Sequence, residues 1–212
     1  METVQELVEA FRDDEKDAAG PNAFWSDPQL VRWARQAVDR YCEITRSVYD
    51  STSPFTCAEL KAGDTSVPRH PSIIDIVSAS FPPPNKRDLA VEPPGRTPRS
   101  CLPTSGMTRL LVVDSHDLRL YPPAATDCVL QLEVIRRPVR LLTLESRLTD
   151  VPPHARETLL LYMKHRAYRV HDAELFDPAK ADNYLAEFER ECQEHLETAR
   201  AAPGAGLIKS SW

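Results

Sequence analysis

Glycine is scarce in this chain: its 212 residues contain six, against nineteen prolines. Loops that cradle a phosphate need closely spaced glycines so that successive backbone N–H groups can converge on one anion, and no such spacing occurs here. Walker-type, GxGxxG, GxSxG and HExxH motifs are all missing, and no other set of residues meets the role-and-geometry requirements of an active site. The expectation is a protein that is not an enzyme and takes no cofactor. Cysteine offers little chemistry either. Cys42, Cys57, Cys101, Cys128 and Cys192 are odd in number, widely spaced and without a CxxC pair, which points to reduced thiols rather than a disulfide framework or zinc site. No apolar run approaches the ~20 residues of a membrane helix. The stretch from Met1 to Asp17 is acidic and amphipathic, the wrong character for a signal peptide, so no membrane partner is expected. A net charge of −6 argues against nucleic-acid binding by phosphate neutralisation along the whole chain. A local basic patch, or a lining past which DNA slides, stays open.

What the chain does have is helical patterning at both ends. Asp177 precedes Pro178, a capping carboxylate followed by proline at the first helical position. From there Ala181, Tyr184, Leu185, Phe188, Cys192, His195, Leu196 and Ala199 form one apolar stripe over about five turns. Lys180, Asp182, Glu187, Glu189, Arg190, Glu194 and Glu197 occupy the opposite face. A helix over 154–171 precedes it, with Leu159, Met163, Ala167 and Val170 on its main stripe. The short joint from His171 to Phe176 predicts an antiparallel hairpin. Near the start, Val4, Leu7, Val8 and Phe11 mark a short amphipathic helix that ends near the charged run Arg12 to Asp17, in which paired carboxylates such as Asp13-Asp14 are read as solvated. Ser26 and Gln29 make a capping box, with Trp25 placed to staple onto Leu30. The helix they open carries Leu30, Trp33, Ala34, Ala37, Val38, Tyr41 and Cys42 on a narrow stripe.

The prolines gather between Ser53 and Pro153. Phe55 to Leu60 and Ile73 to Phe81 have strand character, and Phe81-Pro82-Pro83-Pro84 with Pro93-Pro94-Gly95 predicts an extended loop over 82–106. Leu110 to Val113, Asp117 to Tyr121 and Val129 to Arg136 read as an antiparallel three-stranded meander. The expected fold is α+β but mainly α: a discontinuous antiparallel helical bundle with an inserted antiparallel β meander and a Pro-rich loop. The expected organisation is a helical core from 1–50 and 151–200, a β-containing insertion over 51–150, and a flexible tail over 201–212.

Candidate sites are few. Cys192 and His195 stand at i, i+3, but both lie on the apolar stripe with no second pair to complete a metal site, so packing is the expected role. Arg136, Arg137 and Arg140, with Lys164, Arg166 and Arg169, are the basic concentrations. Ordinary surface pairing with the abundant carboxylates accounts for them, and contact with an acidic face of a neighbouring subunit or partner is the functional reading. The tail carries Leu207, Ile208, Lys209 and Trp212 after a Gly/Pro segment, the pattern of a tether with an apolar tip that docks on another chain.

Three stretches resemble the head-to-tail adaptor (connector) proteins of tailed bacteriophages. The first is Phe24-Trp25-Ser26-Asp27-Pro28-Gln29-Leu30 with its helix. The second is Leu118-Arg119-Leu120-Tyr121-Pro122-Pro123 with the strand from Cys128 to Pro138. The third runs Val151-Pro152-Pro153, Arg166-Ala167-Tyr168, Asp172-Ala173, Phe176-Asp177-Pro178-Ala179-Lys180-Ala181, Tyr184-Leu185 and Phe188-Glu189. The likeness in layout covers most of residues 22–199. It implies a structural virion protein without catalysis, made in the bacterial host cytoplasm and placed at the head–tail junction. Such adaptors form a ring, typically twelve-fold, that docks beneath the portal protein and receives the tail tube or nozzle. Genome DNA passes through its centre without sequence-specific binding. The resemblance also implies that Leu207, Ile208, Lys209 and Trp212 reach the portal; the partner of the 82–106 loop stays open. Two rival readings remain: a small non-enzymatic protein-binding or regulatory module of the host or phage cytoplasm, and an enzyme built from scattered residues such as Glu157, His165 and Tyr168.

Overall fold

The computed structural model describes residues 1–20, 23–83, 87–170 and 176–201. By its internal packing the chain divides into two compact units, one drawn from Met1–Ser47 with Pro138–Trp212, the other from Val48–Arg137.

In the first unit the helices begin where the caps demand. Thr3 caps α1 (Val4–Glu15) by accepting the Glu6 amide at 3.2 Å, and Lys16 ends it in the left-handed region. The first-turn amides of Val4 and Gln5, which have no partner inside the helix, donate to the Ser146 and Leu144 carbonyls, each at 2.9 Å. Helix α2 (Asp27–Thr45) starts at the capping box read from sequence, with Gln29 Oε1 accepting the Ser26 amide at 3.1 Å. A 3₁₀ turn (Pro153–Ala155) leads into α3 (Thr158–Tyr168), shorter than the helix expected over 154–171. The joint of the expected hairpin falls mostly at 171–175, outside the described residues. Helix α4 (Pro178–Ala201) packs on α3 and α2.

Phe11, Trp33, Tyr41 and Phe188 are the largest fully buried side chains of this unit. Each contributes roughly 1.5–3 kcal/mol by leaving water. Phe11, Trp25 and Trp33 meet edge to face, with centroids 5.3 to 6.4 Å apart. The α4 stripe is covered only along Ala181, Phe188 and Cys192; Leu185 and Leu196 are half-buried.

The second unit overturns the expected fold class. It is a curled eight-stranded mixed sheet, and helix makes up 39% and strand 23% of the described residues, so the protein is not a mainly helical bundle with a small meander. The strands are β1 (Tyr49–Asp50), β2 (Cys57–Leu60), β3 (Ser66–Pro68), β4 (Ile73–Phe81), β5 (Arg87–Glu92), β6 (Leu110–Val113), β7 (Asp117–Tyr121) and β8 (Cys128–Arg136). Their order is β1-β8-β4-β5-β6-β7-β3, and β2 shares the β1 edge of β8. All pairs are antiparallel except β5 with β6, which is parallel.

The three strands read as a consecutive meander exist, but β8 does not pair with β7; it lies between β4 and the β1/β2 edge. The extended loop expected over 82–106 is also corrected, because it holds β5. The prolines bracket that strand instead of interrupting it. β4 ends at Phe81 before Pro82, and β5 ends at Glu92 before Pro93, so no proline faces an interior ladder bond. Along β8, Leu130, Leu132 and Val134 enter the core while the alternate residues point away. Ile73, Ile76, Ala79, Leu89, Leu111, Leu118 and Leu120 complete the same core.

Candidate functional site

The basic residues singled out from sequence fall in both units, Arg136 and Arg137 in the sheet unit and Arg140, Lys164, Arg166 and Arg169 in the helical unit. Arg136 ends β8 and is committed within its own unit: its Nε lies 2.6 Å from Asp50 Oδ2, and its Nη1 donates to the Arg137 carbonyl at 3.0 Å. The Arg137 amide donates to the Ser72 carbonyl at 2.8 Å, and the side chain is exposed. Arg140 is exposed in the other unit, on the irregular segment that follows β8. Arg166 is half-buried, and its Nε finds no hydrogen-bond partner among the described residues. Arg169 pairs with Asp182 at 3.5 Å on the surface, and Lys164 Nζ lies 2.7 Å from Asp14 Oδ2. An exposed pair such as Arg169–Asp182 holds its side chains loosely and adds little stability. Leu207, Ile208, Lys209 and Trp212 lie outside the described residues.

The Asp50 carboxylate is the most densely bonded group of the sheet unit. Its Oδ1 accepts the Thr52 and Ser53 amides at 2.9 and 3.0 Å; its Oδ2 accepts Ser53 Oγ and Arg136 Nε, both at 2.6 Å. Desolvation raises the pKa of this carboxyl, but the bonds from Ser53, Thr52 and Arg136 outweigh it and hold the pKa well below the usual range. The unfolded aspartate titrates near ~3.9. The native state therefore gives up this proton more readily, and the resulting stability is fully present above that pH and lost as pH falls toward the folded value. In urea unfolding of the wild type, stability is expected to fall steeply below about pH 4. Asp50→Asn should flatten that dependence; equal slopes for the two proteins would show that the carboxylate contributes nothing through its charge.

Two polar clusters escaped the sequence reading. Asp13 and Asp14 are exposed, but Arg12 and Asp17 of the same charged run are buried. Arg12 Nη1 pairs with Asp17, while its Nη2 donates to the Trp25 carbonyl at 2.8 Å and to Asp27 Oδ1 at 2.6 Å. Asp17 Oδ1 in turn accepts the Phe24 amide at 2.7 Å. The signal was present: Arg12 stands eight residues after Val4, on the buried stripe itself. In the second cluster Tyr168 donates its hydroxyl to Glu15 Oε2, and Lys180 Nζ donates to that hydroxyl at 2.6 Å, lying 3.9 Å from the ring centroid. Burial and the Glu15 bond raise the Tyr168 pKa.

Several of the residues weighed for chemistry are taken up by packing or hydrogen bonding. Cys192 is buried, and desolvation pushes its thiol up to about 12. His195 packs edge to face with Tyr41 and His154, at 6.0 and 5.5 Å between ring centroids. His165 Nδ1 lies 2.9 Å from the Ala181 carbonyl, and Glu157 is exposed. Among the described residues no group of three or more His, Cys, Asp or Glu could hold a metal ion.

Two hollows remain. On the sheet unit a groove of about 360 Å³ is lined by Phe81, Pro82, Met107, Ala124 and Val129, with Arg87 and Asp127 among its polar residues. On the helical unit a shallow hollow of about 450 Å³ lies between the start of α2 and Thr143–Glu145. Both open to solvent.

Residues 2–206 match the family model described as SU10 adaptor protein. No curated protein matches the chain.

Proposed function

Since the chain belongs to the SU10 adaptor protein family, we propose that it is a head-to-tail adaptor of a phage virion. Membership implies a structural rather than catalytic role, association with other phage head and tail proteins, and a place in the virion. The finer reading is a ring, twelve-fold, that joins the portal protein to the tail tube or nozzle and lets genome DNA pass through its centre. The family match over nearly the whole chain is the observation that carries it.

Physical chemistry supports the ring. A closed ring of identical subunits needs two different complementary surfaces on each copy, and this chain exposes apolar side chains on both units, including Met107 and Leu141. The charge of −6 per subunit keeps a ring from gripping phosphates as DNA moves through it. Leu207, Ile208, Lys209 and Trp212 are assigned to portal contact. Arg137, Arg140, Arg166 and Arg169 are assigned to contacts with neighbouring subunits or partners, as is Arg136 through the part of its surface that Asp50 leaves uncovered.

The test is the mass of the purified protein alone and mixed with the portal of the same genome, by light scattering on a sizing column. The expected result is a species that gains a ring of subunits on the portal. A protein that ignores the portal overturns the reading. Deleting residues 203–212 is expected to leave a folded chain that binds the portal at least tenfold more weakly, about 1.4 kcal/mol. Unchanged attachment would remove the tail from the portal contact.

A further inference from the structure

We infer that copies of this chain join head to tail by seating the Val139–Leu141 segment of one copy in the apolar groove on the sheet unit of the next. This rests on the ring reading above and names the surfaces that would close it.

Eight large apolar side chains are exposed among the described residues, and four of them fall on these two features. Val139 is 49% and Leu141 74% exposed, on either side of the exposed Arg140. The segment has no regular structure, yet its base is fixed. Leu142 is buried next to Leu141, and Arg35 Nε donates to the Leu142 carbonyl at 2.7 Å. An apolar tip on an anchored base loses little conformational freedom on docking.

The groove supplies the complementary half. Met107 and Val129 on its lining are 55% and 39% exposed, and its volume of about 360 Å³ has room for a valine and a leucine side chain. Asp127 on the lining offers a carboxylate to Arg140. Arg87 also lines the groove, so Arg140 is accepted only where Asp127 is the nearer charge, and this sets the register. Knob and groove are different surfaces of one chain, so the contact is heterologous and propagates until the rotation closes it.

The experiment uses the full chain in sedimentation velocity, with Leu141→Asp disabling the knob and Val129→Asp disabling the groove. Val129 is on the solvent side of β8, so the fold should tolerate the change; Met107→Glu serves if it does not. Each variant alone is expected to self-associate about a hundredfold more weakly than wild type. Mixed in equal amounts, the two should form a dimer and nothing larger, since only one intact knob and one intact groove remain per pair. Wild-type-like assembly by either variant, or a mixture that stays monomeric, overturns the contact. So does loss of association on deleting 203–212 while Leu141→Asp assembles normally, which would give the groove to the tail. Portal binding by wild type without dimers in the mixture would sink this contact and leave the adaptor reading standing. Failure of wild type to bind the portal would sink that reading instead.

Discussion

Replacing Asp17 by alanine is expected to destabilise the helical unit by about 3–5 kcal/mol, because it removes the buried carboxylate that neutralises the Arg12 guanidinium and leaves it only the exposed Asp27. Three segments meet at that guanidinium: the end of α1, the Trp25 carbonyl and the first residue of α2. Asp17 also accepts the Phe24 amide, so the substitution leaves two donors without their partner at once. The control is Asp13→Ala, an exposed neighbour in the same charged run, expected to change stability by less than about 0.5 kcal/mol. Urea unfolding followed by tryptophan fluorescence reads both, since Trp25 and Trp33 are buried beside the cluster. Equal small effects from the two substitutions would mean that Arg12 and Asp17 are solvated after all.

The second large effect concerns β5. Leu89→Asp should cost at least about 3 kcal/mol and melt the sheet unit, because a charge would enter the core with no partner. Leu89 is buried there and sits opposite Ala79 of β4. Asp88→Ala, at the adjacent exposed position, should be near neutral. An extended loop over 82–106 would predict little effect from either change. Hydrogen exchange gives an independent check: the Ala90 amide, bonded to the Arg109 carbonyl at 2.9 Å, should be protected to nearly the global stability of its unit.

The candidate site was legible only in part, and for identifiable reasons. Arg140 and the other basic residues could be named, but sequence carries no information on which of them an acid inside the chain already holds. Arg136 turned out to face Asp50, 86 positions away in sequence. Nothing in the sequence marks Met107, Val129, Val139 and Leu141 as exposed, because an exposed apolar residue looks the same as a core residue until the packing is known. Leu185 shows the converse, counted with the core on periodicity and found half-buried.

Local chemistry by itself determined where several elements begin and what type they are. The Ser26–Gln29 box, the Asp177-Pro178 start and the alternation along Leu130, Leu132 and Val134 each act within a few residues, so they can be read from the chain directly. Only the tertiary structure decided how many strands join and in what order. Strand pairing is a contest among distant edges, settled by burial summed over a whole sheet. Arg87–Glu92 has too few apolar residues to announce itself, and becomes a strand because β4 and β6 supply both of its hydrogen-bonding edges. The buried Arg12–Asp17 pair is decided in the same way, since a charge goes inside only where folding brings its partners to meet it.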